Sequence, residues 1–152
     1  MKLLYIVYFR TMEDSPEVYI ECATTSRLVA NEAFLKAKAE EEEWMADQDP
    51  DMGNWAEARI RTFAIPGDIK PGDTIHVVVD TDWDEVVSTE IYPLLRKEDA
   101  ESLVEALKHD YLEDYPDVTP FDEDETIEES MHLEDPSEGV DIYFDIVDAK
   151  VQ

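Results

Sequence analysis

Three short acidic runs have a spacing that could bind a cation or support phosphoryl transfer. The first, DQDPDMGN, places Asp47, Asp49 and Asp51 at alternate positions, which is the start of a calcium-binding loop. Such a loop needs Gly at its sixth position and a bidentate Glu at its twelfth, where this chain has Met52 and Ala58. The pattern therefore indicates an ordinary Asp-rich turn, with weak calcium binding as the alternative.

The other two runs are DTDWDE and FDEDETI. DTDWDE places Asp80, Asp82, Asp84 and Glu85 in a predicted hairpin turn, with the same weak-cation alternative. FDEDETI matches the Asp-x-Asp-x-Thr of phosphotransferases that use an aspartyl nucleophile. Those enzymes need the Asp pair after a buried parallel strand and a downstream Lys with further acids around Mg²⁺. Here Pro120 precedes the run and Lys150 is the single later base, so we reject this interpretation.

The remaining residues that could take part in catalysis are few. His76, His109 and His132 are widely separated, and none has Ser or Cys in a nucleophile context. Cys22 reads as a strand residue packed as a small hydrophobe. With four Gly there is no phosphate-binding loop, and without a Cys pair a zinc site is improbable. The sequence predicts a protein that is not an enzyme and has no cofactor or metal site.

Composition indicates a folded and strongly acidic protein. The 152 residues are 43% hydrophobic and 10% aromatic, which is more apolar surface than a disordered chain carries. Asp and Glu number 40 against 12 Lys and Arg, so the formal net charge is -28. Such a charge repels nucleic acid and anionic membranes and attracts basic partners. We therefore expect neither direct nucleic-acid binding nor membrane binding.

Two features bear on location. The single Cys22 excludes an internal disulfide framework, which favours a reducing compartment. The opening MKLLYIVYFR is too short to span a membrane and lacks a signal-peptide cleavage pattern. We expect a soluble, cytoplasmic protein in which this opening is the first strand.

Apolar periodicity predicts an α+β fold made of two ββαβ halves, 1–66 and 73–152, each with an antiparallel sheet and one helix. We expect the two halves to form one compact unit. A shift of 70 residues aligns the predicted core positions of the two helices, which favours a degenerate internal duplication over two chance patterns. The predicted strands are Leu3–Phe9, 18–22, Glu57–Ile65, Thr74–Val79, Val86–Tyr92 and Val140–Val147, and the predicted helices are Arg27–Met45 and Lys97–Leu112.

The second half is longer than the first by about a dozen residues, which fall in an acidic insertion at about 116–138, before the last strand. Residues 110–135 contain twelve Asp and Glu and no Lys or Arg. If this segment is ordered, Phe121, Ile127, Met131 and Leu133 should pack onto the body, and their spacing allows a short helix around 122–130.

Charge is unevenly distributed along the chain. Residues 1–70 carry 14 acidic and 8 basic residues, a net charge of -6, whereas residues 71–152 carry 26 and 4, a net charge of -22. Adaptation to high salt would spread acids over every surface, which this asymmetry contradicts. Two interpretations stay open: a solvated acidic segment on a housekeeping or protein-interaction domain, and a surface that imitates the phosphates of DNA.

In size, charge and aromatic content the chain resembles the DNA-mimic inhibitors that phages and mobile elements use against restriction and CRISPR nucleases. No motif of one such family is present, so the resemblance assigns no residues. It implies a non-catalytic inhibitor that occupies the basic, nucleic-acid-binding surface of a partner protein. The residues expected to bind the partner are Asp110, Glu113, Asp114, Asp117, Asp122, Glu123, Asp124, Glu125, Glu128, Glu129, Glu134 and Asp135.

Overall fold

The computed structural model divides into two compact units. The first is Met1–Thr74 together with Ala149–Gln152, and the second is Ile75–Asp148. Among the residues described, no helix is both long enough and apolar enough to cross a membrane. The structure describes residues 2–84, 86–115, 119–120, 130–135 and 139–152, and it describes their side chains except at 119, 120, 130 and 135.

The first unit is a three-stranded antiparallel sheet with one helix. Its elements are β1 (Lys2–Met12), β2 (Pro16–Thr24), α1 (Arg27–Ala46) and β3 (Trp55–Ile65), and the strand order is β2-β1-β3. The central strand β1 pairs on both edges, and its residues Leu4 and 6–11 are buried, whereas Lys2 and Leu3 at its start are exposed.

The helix α1 begins and packs as the sequence predicts. The Ser26 hydroxyl accepts a hydrogen bond from the Val29 amide at 3.3 Å and so caps the helix. Ala30 and Ala37 are buried on one face of the helix, in a core that also contains Cys22 of β2. Cys22 is therefore a packed core residue, and burial raises the pKa of its thiol.

The second unit has a five-stranded sheet and one helix. Ala100 and Val104 of its helix pack on the sheet residues Val78, Ile142 and Phe144. Because apolar residues recur at three- and four-residue steps, one side of the helix is buried and the other is free to carry charge. The elements are β4 (Thr74–Trp83), β5 (Val87–Leu94), α2 (Lys97–Asp114), β6 (Thr119–Pro120), β7 (Ser130–Asp135) and β8 (Val140–Lys150), and the strand order is β5-β4-β8-β7-β6.

The α+β fold class and the two ββαβ-like halves are confirmed. The spatial order β2-β1-β3 of the first half recurs as β5-β4-β8 in the second, with β7 and β6 added beside β8. Internal duplication as the origin of this similarity stays a prediction.

Two elements differ from the sequence prediction. The strand β4 continues to Trp83, because Asp80–Trp83 pair with Val87–Glu90 of β5, so the predicted turn DTDWDE is mostly strand. The acidic insertion contains the strand β7, whose Met131 and Leu133 are buried as expected. Phe121, Ile127 and the helix predicted around 122–130 lie outside the described residues, except for Ser130, which begins β7.

The burial of Leu133 predicts that β7 contributes to stability. Leu133 is 1% exposed, so we expect Leu133→Ala to lower the free energy of unfolding by about 2–5 kcal/mol, since the change removes buried methyl groups and leaves a cavity. Chemical denaturation followed by circular dichroism measures this loss. The matched control is Leu112→Ala on the exposed side of α2, where we expect a loss below about 1 kcal/mol. Equal effects of the two variants would show that β7 is not part of the cooperative unit.

Candidate partner-binding surface

The solvent-facing side of α2 carries acidic residues from its first turn to its last. Its exposed acids include Glu98, Glu105 and Asp110, and Glu98, Glu101, Ser102 and Glu105 line a shallow groove. One acid is neutralised locally, since Asp99 accepts hydrogen bonds from the Arg96 guanidinium at 2.9 and 3.0 Å. Two lysines of the helix, Lys97 and Lys108, offset part of the remaining charge. The acidic residues of α2 are Glu98, Asp99, Glu101, Glu105, Asp110, Glu113 and Asp114.

Three of the predicted binding residues lie together at the end of α2. Asp110, Glu113 and Asp114 are exposed, and this last turn contains no Lys or Arg. The carboxyl end of a helix is the negative end of its dipole, so each acid there costs roughly 0.3–1 kcal/mol. His109 lies 3.3 Å from the Glu113 carboxylate. An acidic turn that is unfavourable for the helix is compatible with a role in binding.

The other predicted residues are distributed differently. Glu134 is half-buried in β7, beside His132 and Asp141, and is not grouped with the acids of α2. Asp135 is in the same strand, but its side chain is outside the described set. The following predicted residues lie outside the described residues: Asp117, Asp122, Glu123, Asp124, Glu125, Glu128 and Glu129.

A buried polar cluster holds the end of α2 on the sheet. Asp80 and Asp82 alternate along β4 with side chains toward α2, and the Tyr111 hydroxyl contacts both carboxylates. The Tyr111 hydroxyl lies 3.1 Å from Asp80 Oδ1, and its ring packs on Phe144 with centroids 5.8 Å apart. Tyr111 and Tyr115 therefore pack on the body at this end of the helix.

This cluster shifts the ionisation of its members. Burial, followed by the charge of Asp82, raises the pKa of Asp80 to about 7. Burial also raises the pKa of Asp82, although its hydrogen bond from Tyr111 acts in the opposite direction. Burial and the contact with Asp82 raise the pKa of the Tyr111 phenol well above its ordinary value. The phenol is therefore a permanent donor, and the two carboxyls share a proton at mildly acidic pH.

The loop at 47–53 has the structure of a turn. Asp49 caps a short 3-10 helix, Pro50–Met52, and accepts a hydrogen bond from the Asp51 amide at 2.9 Å. Gly53 follows with a φ of 70°, a backbone conformation that favours glycine. Within the described part of the chain, the acids of this loop form no cluster of three converging ligands. The interpretation as an Asp-rich turn therefore fits this geometry.

Two groups of interacting side chains were not predicted from the sequence. Asp80 and Asp82 were expected in a turn, and Asp141 was not expected as a partner of His132. The alternating Asp-Thr-Asp pattern in an apolar strand was a signal for the first group, since alternate residues share one face. Comparison of the chain with family models, with curated proteins and with solved structures found no match, so the interpretation of these surfaces depends on their own geometry and charge.

Proposed function

We propose that this chain is a non-catalytic acidic protein that binds the basic, nucleic-acid-binding surface of a partner protein and occludes it. The observation that carries the proposal is the series of exposed carboxylates on α2, a helix whose other side is packed in the core. Packing of the other side fixes the backbone from which these carboxylates project, as a surface that imitates a phosphate backbone requires. The setting that we propose is the cytoplasm of a bacterium carrying a phage or mobile element.

The charge density of α2 can be compared with that of DNA. An α-helix rises about 1.5 Å per residue, so the 18 residues of α2 extend over about 27 Å. Seven acids, of which Asp99 is neutralised by Arg96, and two lysines leave four negative charges, about one per 7 Å, whereas one DNA strand carries about one per 3.4 Å. The helix therefore has about half the charge density of a single strand. The nine acids at 117–135 would supply the additional charge that the proposal requires.

Electrostatics favours a basic protein as the partner. The net charge of -22 on residues 71–152 creates a field that attracts Lys and Arg and repels nucleic acid. Such a field speeds encounter and makes binding sensitive to salt. We therefore expect this protein to compete with DNA for the partner's surface and not to bind DNA itself.

The experiment is capture followed by competition. The full chain is immobilised, proteins bound from a bacterial lysate at low salt are eluted with salt, and each is tested for binding to duplex DNA. We expect at least one captured protein to bind DNA, and we expect DNA and this chain to displace each other from it. A stable ternary complex of captured protein, DNA and this chain would contradict occlusion. That outcome would favour an acidic interaction domain with a solvated segment.

A further inference from the structure

A second cluster of polar side chains lies on the pair of strands β7 and β8. Residues of β7 pair with β8 in antiparallel register, so that Glu134 is opposite Asp141 and His132 is opposite Tyr143. Alternate residues of a strand share a face, so these four side chains lie on the face opposite Leu133 and Ile142, which are in the core with α2. The cluster thus has a rigid, packed sheet beneath it.

Three of these residues present ligand atoms at short mutual distances. The Nε2 atom of His132 lies 2.8 Å from Oδ1 of Asp141. One ligand atom from each of His132, Glu134 and Asp141 lies within 4.8 Å of the other two. The His132 ring stacks on Tyr143 with centroids 4.2 Å apart and an interplanar angle of 14°, which fixes the plane of the imidazole. All three residues are half-buried.

Without a bound cation, the pair of carboxylates that face each other across β7 and β8 is unfavourable for stability. Like charges directly opposite on antiparallel strands repel each other, and Glu134 and Asp141 occupy such positions. A bound cation would convert this repulsion into attraction. The histidine beside them distinguishes the cluster from the exposed acids of α2, because imidazole is a ligand for transition metals.

We propose that His132, Glu134 and Asp141 bind a divalent transition-metal ion, either Zn²⁺ or Mn²⁺. Bonds from zinc to nitrogen and oxygen are about 2.0–2.2 Å long, which places the ligand atoms of one ion about 3.0–3.6 Å apart. To reach this arrangement, the contact of 2.8 Å between His132 and Asp141 must open by a few tenths of an ångström, and the Glu134 carboxylate, which lies within 4.8 Å of both, must take the same spacing. The ion takes the place of the proton between these two residues.

The donor set decides which metals fit. One imidazole nitrogen and two carboxylates suit first-row transition metals, whereas Ca²⁺ requires six to eight oxygen ligands. Three protein ligands leave at least one coordination position for water. One ion coordinated by residues of both strands would link β7 to β8. This link would lie directly after the acidic run that precedes Ser130. Metal binding would therefore stabilise the end of the insertion.

The test is calorimetric titration of the full chain with ZnCl₂ or MnCl₂ at about 150 mM salt, which screens the diffuse attraction of the acidic surface. We expect one equivalent of at least one of these ions to bind, and His132→Gln and Asp141→Asn each to weaken binding at least about tenfold. Amide resonances at 131–134 and 140–143 should shift on addition of diamagnetic Zn²⁺. The melting temperature should rise with metal concentration, since the ion binds the folded state.

The matched control is His76→Gln. His76 also contacts a carboxylate, with Nδ1 2.6 Å from Asp148, but among the described residues no third ligand atom converges on this pair. Removing it should leave the affinity and the stoichiometry unchanged. The proposal is wrong if neither ion binds with one-to-one stoichiometry, or if His132→Gln binds as tightly as the parent chain. It is equally wrong if CaCl₂ binds as tightly as both transition metals.

Discussion

Replacement of Asp80 by Asn is expected to stabilise the protein at about pH 8 by up to about 4 kcal/mol. The Asp80 carboxyl is 7% exposed and faces Asp82, Tyr111 and Glu90, so that its ionised form is disfavoured. Asparagine has the shape of the protonated acid and can donate to Asp82 while accepting from the Tyr111 hydroxyl. The variant thus retains the hydrogen bonds of the cluster and removes the buried charge.

The pH dependence of this effect has a definite sign. Burial raises the pKa of Asp80 from 3.8 to about 7, so the folded state holds a proton that the unfolded state has released. The stabilising contribution of the protonated form is complete below about pH 4 and is lost as the pH rises through about 7. The difference in unfolding free energy between Asp80→Asn and the parent chain should therefore be near zero at about pH 4 and largest above about pH 7.

Urea denaturation at a series of pH values between about 4 and 8 measures this difference. The matched control is Asp84→Asn, which removes one charge from the same hairpin at an exposed position, where the acid accepts from the Val86 amide. The control corrects for general relief of repulsion in a chain with a net charge of -28. The raised pKa of Asp80 would be contradicted if the difference in unfolding free energy between Asp80→Asn and the parent chain did not change with pH. It would also be contradicted if the variant were less stable than the parent at about pH 8.

Charge reversal at the end of α2 should slow association with a captured partner by about ten- to a hundredfold at low salt. The variant is Asp110→Lys, Glu113→Lys and Asp114→Lys, and it should change the dissociation rate much less because exposed charges act mainly on encounter. Folding should be unharmed or slightly improved, since lysines at the carboxyl end of a helix interact favourably with its dipole. Surface plasmon resonance over a range of salt concentrations separates the two rates.

Two further variants locate the effect. Reversal of Asp122, Glu123, Asp124 and Glu125 to Lys tests the acidic insertion separately from the helix. Reversal of Glu42, Glu43 and Asp47 to Lys changes the total charge as much as the α2 variant does, but at exposed positions of the first unit. If this control slows association as much as the α2 variant, net charge rather than a defined surface determines binding. If the α2 variant and the insertion variant both associate with the partner as fast as the parent chain, the proposed binding site is wrong.

The helices and most strands could be predicted from the sequence because their signals are local. Ala30 and Ala37 in α1, like Ala100 and Val104 in α2, occur at the helical period and are buried as predicted. Ser26 precedes the first apolar turn of α1 and caps it. The spacing of apolar residues, the helix cap and the turn residues all act within a few positions of the chain. Neighbouring residues therefore suffice to predict where these helices and strands lie.

The strand β7 and the two polar clusters depend on contacts between distant residues. Met131 and Leu133 stand in an acidic stretch without a strong strand signal, and only pairing with β8 and burial against α2 make Ser130–Asp135 a strand. Asp80 becomes a buried acid because β4 continues along β5 and because Tyr111, 31 positions away, covers it.

The charge was likewise visible in composition, since a net charge of -28 needs no coordinates. The convergence of His132, Glu134 and Asp141 was not visible, because the register of two strands sets which side chains are opposite each other. A shift of one residue in that register would move His132 to the other face of the sheet. Local patterning therefore determined the helices and most strands of this protein, whereas tertiary pairing decided the strand β7 and which of the many carboxylates are buried, clustered or exposed.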